Sequence, residues 1–213
     1  MSDKLKKIGV IDYQMGNLFS VIQALKKVGL NVELITNSED ILDYDGIVLP
    51  GVGAFAEAMK ELKQMNFDNA ILKFNNSKRP ILGICLGFQL LFDHSEEFNY
   101  TNGLGILKGK VLNFNQKIVK RVPHMGWSTL EVNEFKNSPM SHIKKDDKLF
   151  FVHSLYAHPT ENQIILSKTR YHDFEFTSSI LDNNIFATQF HPEKSGSVGL
   201  KIFDNWSRIF NLK

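Results

Sequence analysis

ILGICLGFQLLF, residues 81–92, decides the fold. The run is nearly all apolar, yet its centre holds Cys85, the only cysteine of the chain, between Gly83 and Gly87. RPILGIC reads as a buried strand and LGFQLLF as the helix after it. G-x-C-x-G at a strand-to-helix junction is the thiol version of the nucleophile elbow. A sharp turn there pushes the side chain out at the C-terminal edge of a sheet. Small residues two before and two after let strand and helix pack closely around it. The helix N-terminus is expected to face the sulfur, which lowers the thiol pKa and favours thiolate. The backbone N–H of Leu86 then lies where an oxyanion would form. The competing reading is a buried structural cysteine, since free cysteine packs as a small hydrophobe. The flanking glycines at such a junction weigh against it.

Outward from the elbow, strand and helix alternate. KIGVIDY (7–13) reads as a central strand and QMGN as a turn. NLFSVIQALKKVG has apolar residues at 18, 21, 22, 25 and 28, a helical spacing that Gly29 can cap. VELIT and GIVLP are further strands, and AFAEAMKELKQM is an amphipathic helix. Short links between these elements predict a mostly parallel α/β sheet covered on both faces. The second half changes character. GILKGKVLNF, GWSTLEV, KLFFVHSLYAHP, QIILSKTR and FEFTSSILDNNIFATQF read as strands with hairpin-like breaks, Asn183-Asn184 as a tight turn, and 196–210 as a closing helix. No linker, repeat or low-complexity segment interrupts 1–213, which predicts a single domain.

The bulk numbers are those of a globular protein: 213 residues, 43% hydrophobic and 23% charged. A net charge of +2 gives no case for a nucleic-acid or membrane partner. One cysteine excludes an intrachain disulfide and makes a reducing, cytoplasmic compartment the expectation. MSDKLKKIGVIDY reads as a first strand rather than a leader peptide.

A thiolate nucleophile needs a proton shuttle. Phe190-His191-Pro192-Glu193 follows the apolar strand IFATQF. His191 can act as base and then acid, and Glu193 can hold the imidazole in one tautomer. The other histidines (94, 124, 142, 153, 158 and 172) read mostly as surface or packing residues. None has metal-ligand spacing, and no metal or cofactor is expected. In Pro50-Gly51-Val52-Gly53-Ala54-Phe55, two glycines let the backbone turn an N–H toward developing negative charge. A phosphate loop is a weaker alternative, because the third glycine and the lysine are missing.

Together GICLGFQLLF, QFHPEKS and LPGVGAF resemble the class I, triad-type glutamine amidotransferases. More narrowly, DYQMGNLFSV, SEEF, VPHMGWS, FFVHS and QFHPEKSGSVGL resemble the glutaminase subunits of imidazole glycerol phosphate synthases. The resemblance implies a flavodoxin-like, mostly parallel sheet with flanking helices and an added antiparallel strand region. It implies hydrolysis of L-glutamine to glutamate and ammonia. The ammonia passes through a tunnel to a (β/α)8-barrel synthase subunit, the partner in a heterodimer, which makes a histidine precursor. By motif, Cys85, His191 and Glu193 match the triad. Leu86, Val52 and Gly53 match the oxyanion segment. Gly51, Gln89, Glu97 and Ser154 match substrate contacts, Glu97 near the amino group. Gln14, Pro123 and Trp127 match the synthase-facing surface.

Three positions depart from the family pattern. Gln14 stands where glycine is usual, Ser128 where asparagine is usual, and Leu155 where an aromatic residue is common. These departures keep open a paralogue that supplies ammonia to a sugar amidotransferase of bacterial surface polysaccharide synthesis. A cysteine peptidase or γ-glutamyl hydrolase on the same scaffold, and a non-enzymatic binding module, are further alternatives. Gln89, Glu97 and PGVGAF favour free glutamine over the hydrolase. A binding module would not need the His-Pro-Glu pair.

Overall fold

The computed structural model describes residues 5–132 and 135–213. Strands β1 (Lys7–Ile11), β2 (Asn31–Ile35), β3 (Gly46–Leu49) and β4 (Ile81–Ile84) alternate with helices α1 (Leu18–Lys27), α2 (Phe55–Gln64) and α3 (Phe67–Asn76). The five-residue α4 (Leu86–Leu90) leaves the elbow, and β5 (Phe92–Ser95), β6 (Thr101–Asn102) and β7 (Leu107–Asn113) follow it. Then come β8 (His124–Thr129), β9 (Glu131–Val132), β10 (Lys148–His153), β11 (Leu155–Pro159), β12 (Ile165–Tyr171), β13 (Phe174–Asp182) and β14 (Ile185–Thr188). Helix α5 (Gly196–Ile209) closes the chain.

The main sheet runs β2-β1-β3-β4-β14-β13-β11-β7-β5-β6. Its first five strands are parallel, and β13, β11 and β7 join antiparallel. β8 and β10 form a separate antiparallel ribbon. The parallel strands are buried nearly throughout, as GIVL and ILGI show, because helices cover both faces. One apolar cluster lies on the α2–α3 side, the other on the α1–α5 side. The open crevice at the carboxyl ends of such strands is where this architecture places its ligands.

Four local expectations change. α3 is an additional helix: Phe67, Ala70, Ile71 and Phe74 form a buried stripe at three- and four-residue spacing. The helix expected over 86–92 stops at Leu90, and Phe92 opens a strand that pairs with β7. KLFFVHSLYAHP is two strands, broken at Ser154, whose halves join different sheets. GWSTLEV likewise divides between β8 and β9. The Asn183-Asn184 turn stands, with Asn183 at φ 48°. So does the Gly29 cap, at φ 84°. Among the described residues no helix is long and apolar enough to cross a membrane.

Candidate active site

Cys85 sits at φ 55°, ψ −107°, a strained conformation for a residue with a side chain. Its backbone is held from both sides. Its N–H donates to the Thr188 carbonyl, and its C=O accepts from Gln89. The glycine spacing has a steric cause. A methyl group on Gly87 would run into the Leu49 carbonyl oxygen. One on Gly83 would press on Ala187 Cβ and Phe88 Cα, each at 3.1 Å. Only a bare backbone lets β4 and α4 close the turn.

His191 and Glu193 stand together. His191 Nδ1 and Glu193 Oε1 are 2.7 Å apart, with side chains only 3% and 2% exposed. The loop that carries them is tied down by Ser195. Its hydroxyl donates to the His191 carbonyl at 2.6 Å and accepts from the Phe150 N–H at 3.0 Å. The His191 Nε2 is buried and makes no full hydrogen bond of its own. The ring's pKa is nonetheless raised to about 10. Burial opposes the charge, but the negative charge of Cys85 and then that of Glu193 outweigh it. Cys85 and Glu193 thus both favour the charged form of the ring, the sulfur on one side and the carboxylate on the other.

A cavity of about 350 Å³ opens over the sulfur. Cys85, Leu86, Val52 and Gly53 line one side of it. Gln89, Glu97, Ser154 and Pro123 line the rest. Residues expected from separate segments of the chain thus converge on one site. Gly51 lies just behind the wall, where a methyl group would collide with the Tyr13 hydroxyl. Gln14 and Trp127 do not line the cavity. Gln14 is exposed at φ 67°, and its N–H donates to Asp12 Oδ1. Trp127 is 53% exposed on β8 and packs edge-on to Phe150.

Individual contacts refine these expectations. Glu97 Oε2 accepts the Phe55 N–H at 2.8 Å, so this carboxylate also caps α2. The Ser154 carbonyl is used by the Phe114 N–H. The Leu86 N–H donates to the Gly51 carbonyl at 3.3 Å. The helix beyond the thiol is also shorter than expected, with only five residues to contribute to a dipole at the elbow.

Some residues of the site were not anticipated. Tyr13 is fully buried, donates to the Pro50 carbonyl at 2.8 Å, and props the glycine segment from below. Burial, reinforced by Cys85, pushes its hydroxyl pKa upward. Gln189 is fully buried and donates to the Cys85 sulfur at 3.7 Å. His124 and His153, read as surface or packing residues, are buried and hydrogen-bonded to each other at 3.0 Å. The sequence marks Gln189 only as the first residue of QFHPEKS, a polar position just past the end of β14, with nothing to tie it to Cys85.

The model of the class-I glutamine amidotransferase family matches residues 9–207. The chain belongs to that family. It is 42% identical over 209 residues to the imidazole glycerol phosphate synthase subunit HisH of Sulfurimonas denitrificans, covering 97% of this chain and 100% of that one. HisH of Methanocaldococcus jannaschii is 46% identical over 203 residues, covering 95% and 99%. Among solved structures, PurLQS from Thermotoga maritima superposes with a TM-score of 0.76 at 20% identity, over 99% of this chain and 100% of that one. At that identity the likeness concerns the fold, which is that of the class-I amidotransferases. The chain is thus a glutamine amidotransferase, in place of the peptidase or binding module that the elbow alone allowed. Among the described residues no cluster of histidine, cysteine and carboxylate side chains could hold a metal.

Proposed function

We propose that this amidotransferase is the glutaminase subunit of an imidazole glycerol phosphate synthase and works through Cys85, His191 and Glu193. The observation that carries the reading is the buried 2.7 Å His191–Glu193 pair set against Cys85 at the mouth of a glutamine-sized cavity. The Cys85 thiolate attacks the side-chain amide carbon of glutamine, forming an S–C bond and an oxyanion. The N–H groups of Leu86 and of the 51–53 segment stabilise that oxyanion once they face it. Protonated His191 gives its proton to the departing nitrogen. The C–N bond breaks, ammonia leaves, and a γ-glutamyl thioester remains. Neutral His191 then takes a proton from water, whose oxygen attacks the thioester to release glutamate and Cys85. Gln89, Glu97 and Ser154 hold the substrate.

Ammonia in neutral water is mostly ammonium, which is no nucleophile. A partner that seals the exit and receives the ammonia is therefore chemically useful. Pro123 at the cavity and Trp127 and Gln14 near it make the face for a (β/α)8-barrel synthase in a heterodimer, serving histidine biosynthesis. The names of the HisH relatives support that choice of partner. The test pairs the chain with a cyclase subunit and the phosphoribulosyl acceptor. Glutamine-dependent product should form, and Cys85→Ala should leave only ammonia-dependent synthesis. Activation by a sugar amidotransferase instead would transfer the reading to the surface-polysaccharide pathway.

A further inference from the structure

One backbone carbonyl beside the cavity, that of Leu155, accepts two buried hydrogen bonds. His153 Nδ1 reaches it at 2.7 Å and Gln89 Nε2 at 3.2 Å. A carbonyl oxygen can only accept, so both contacting atoms carry hydrogen. That single fact sets the polarity of every polar contact on either side.

On the inner side, Gln89 Nε2 also meets Gln189 Oε1 at 2.9 Å. The Gln189 carboxamide must present its oxygen there, because an amide nitrogen would set donor against donor. Its NH2 is then turned toward the Cys85 sulfur, 3.7 Å away. Both Gln89 and Gln189 are almost wholly buried, so water cannot substitute for these partners.

On the outer side, His153 spends its hydrogen on Leu155, so its Nε2 is the acceptor of a neutral ring. His124 Nδ1, 3.0 Å away, must donate to it. His124 Nε2 is then an acceptor as well, and the Ser128 hydroxyl at 3.0 Å donates. Both rings stay neutral because burial holds their pKa values down, to about 4 for His124 and about 3 for His153. They face each other across the β8–β10 ribbon, and His124 stacks on Tyr171 at 4.0 Å. A straight strand would hold residues four apart about 13 Å from each other. His124 and Ser128 nonetheless meet at 3.0 Å, with Gly126 between them at φ 146°.

We infer that Ser128, His124, His153, Gln89 and Gln189 form one hydrogen-bonded relay of fixed polarity that runs from strand β8 to the Cys85 sulfur and holds Gln189 as an N–H donor to the thiolate. Ser128, His124 and His153 are positioning residues. They touch no reacting atom and act by keeping Leu155 and the two carboxamides in one orientation. Gln189 is the point of contact with the nucleophile. An N–H donor favours the anion over the thiol, and it acts against the Val152 carbonyl, 3.8 Å from the same sulfur, which favours the thiol. The relay also explains Ser128, one of the departures from the family pattern: the role asks only for a hydrogen-bond donor.

The inference rests on Cys85 as the nucleophile, but its test needs neither glutamine nor a partner. Because the chain has one cysteine, alkylation by iodoacetamide reports Cys85 alone. At pH 7 the isosteric Gln189→Met should slow alkylation about tenfold. Gln189→Glu, which keeps the oxygen for Gln89 but sets a carboxylate against the sulfur, should slow it at least as much. Alkylation within twofold of wild type in both folded variants would overturn the relay. On the unaltered protein, ¹⁵N NMR should show His124 and His153 both neutral and both protonated at Nδ1. Either ring found as the Nε2–H form would equally overturn it, whatever the variants do. Ser128→Thr, which keeps the donor, should retain wild-type alkylation, and Ser128→Val should lose part of it. Equal rates in these two would remove Ser128 from the relay.

Discussion

The backbone N–H of Leu86 donates to the carbonyl oxygen of Gly51 at 3.3 Å. In a trans peptide the C=O and the following N–H point in opposite directions. The N–H of Val52, in the same peptide, is therefore turned away from the elbow. Of the two N–H groups proposed as oxyanion donors, that of Leu86 is occupied by a carbonyl and that of Val52 is averted, and rotation of the 51–52 peptide would correct both. Gly51 absorbs half of that rotation freely, but the other half falls on Val52. Gly53 does not flank this peptide, so the rotation is less free than the two glycines suggest. A β-branched residue resists positive φ.

It follows that the chain alone should be a poor glutaminase. A missing oxyanion donor costs about 10²–10³ in rate. Turnover should rise at least about a hundredfold when the true partner and its ligand bind and favour the rotated form. Val52→Gly should raise the activity of the isolated chain by about tenfold, because an L-residue in the left-handed region costs about 1–2 kcal/mol that glycine does not. Trp127→Ala, on the exposed face of β8, should weaken activation without slowing Cys85 alkylation. Full activity in the isolated chain would contradict this account.

The His191–Glu193 pair predicts a pH dependence. With its folded pKa raised to about 10 from an ordinary 6.5, His191 binds more protons folded than unfolded between those values. Its contribution to stability is complete below the lower value and is lost as pH rises through the upper one. Glu193→Gln removes one partner of that charge. Its melting-temperature deficit relative to wild type should be largest at and below about pH 6.5 and shrink as pH approaches 10. A deficit that grows with pH would mean the ring is neutral. In activity, Cys85→Ala and His191→Asn should be inert, and Glu193→Gln should keep a fraction, since it removes the orienting group and not the base.

The elbow was legible because its steric demand is local. Gly83 and Gly87 bracket one reactive side chain at a junction that a period change reveals. His191 and Glu193 were legible by adjacency. Gln189 was not, because two residues before His191 it reads as one polar position in a strand. Its role is set by Gln89 and Leu155, which the fold brings from far away in the chain. The break at Ser154 was hidden for a related reason. FFVHSLYAH alternates well enough for one strand, and only the pairing partners show that β10 and β11 belong to different sheets. Helix α3 carries a clear stripe, but its short link to α2 and its Asn-rich end obscure it.

Gln14 occupies a left-handed turn at φ 67°, held by the bond from its N–H to Asp12 Oδ1 at 3.1 Å. The strain favours glycine here, and the extra flexibility of glycine in the unfolded chain offsets part of the gain. Gln14→Gly should therefore stabilise by about 0.5–1 kcal/mol, raising the melting temperature by about 1–4 °C. A differential scanning measurement that finds a lower melting temperature would mean the Gln14 side chain has a stabilising contact that outweighs its backbone strain.

Glu97 combines two tasks that substitution can separate. Its Oε2 accepts from Phe55 at the start of α2, where Ala54 offers no side-chain cap. The residue also lines the cavity beside Cys85. Glu97→Ala removes the cap and should cost about 1 kcal/mol of stability. Glu97→Gln keeps an acceptor for Phe55 and should lose less, chiefly the favourable charge at the helix start, about 0.3–1 kcal/mol. If the carboxylate also holds the substrate ammonium, the charge is what matters there. Both variants should then raise KM for glutamine about tenfold or more, with smaller changes in kcat once substrate is saturating. Alkylation of Cys85 should be unchanged in Glu97→Gln, because the elbow is intact. A KM that rises in Glu97→Ala but stays at the wild-type value in Glu97→Gln would make Glu97 only the cap that holds the 53–55 segment in place, and the substrate ammonium would need another partner.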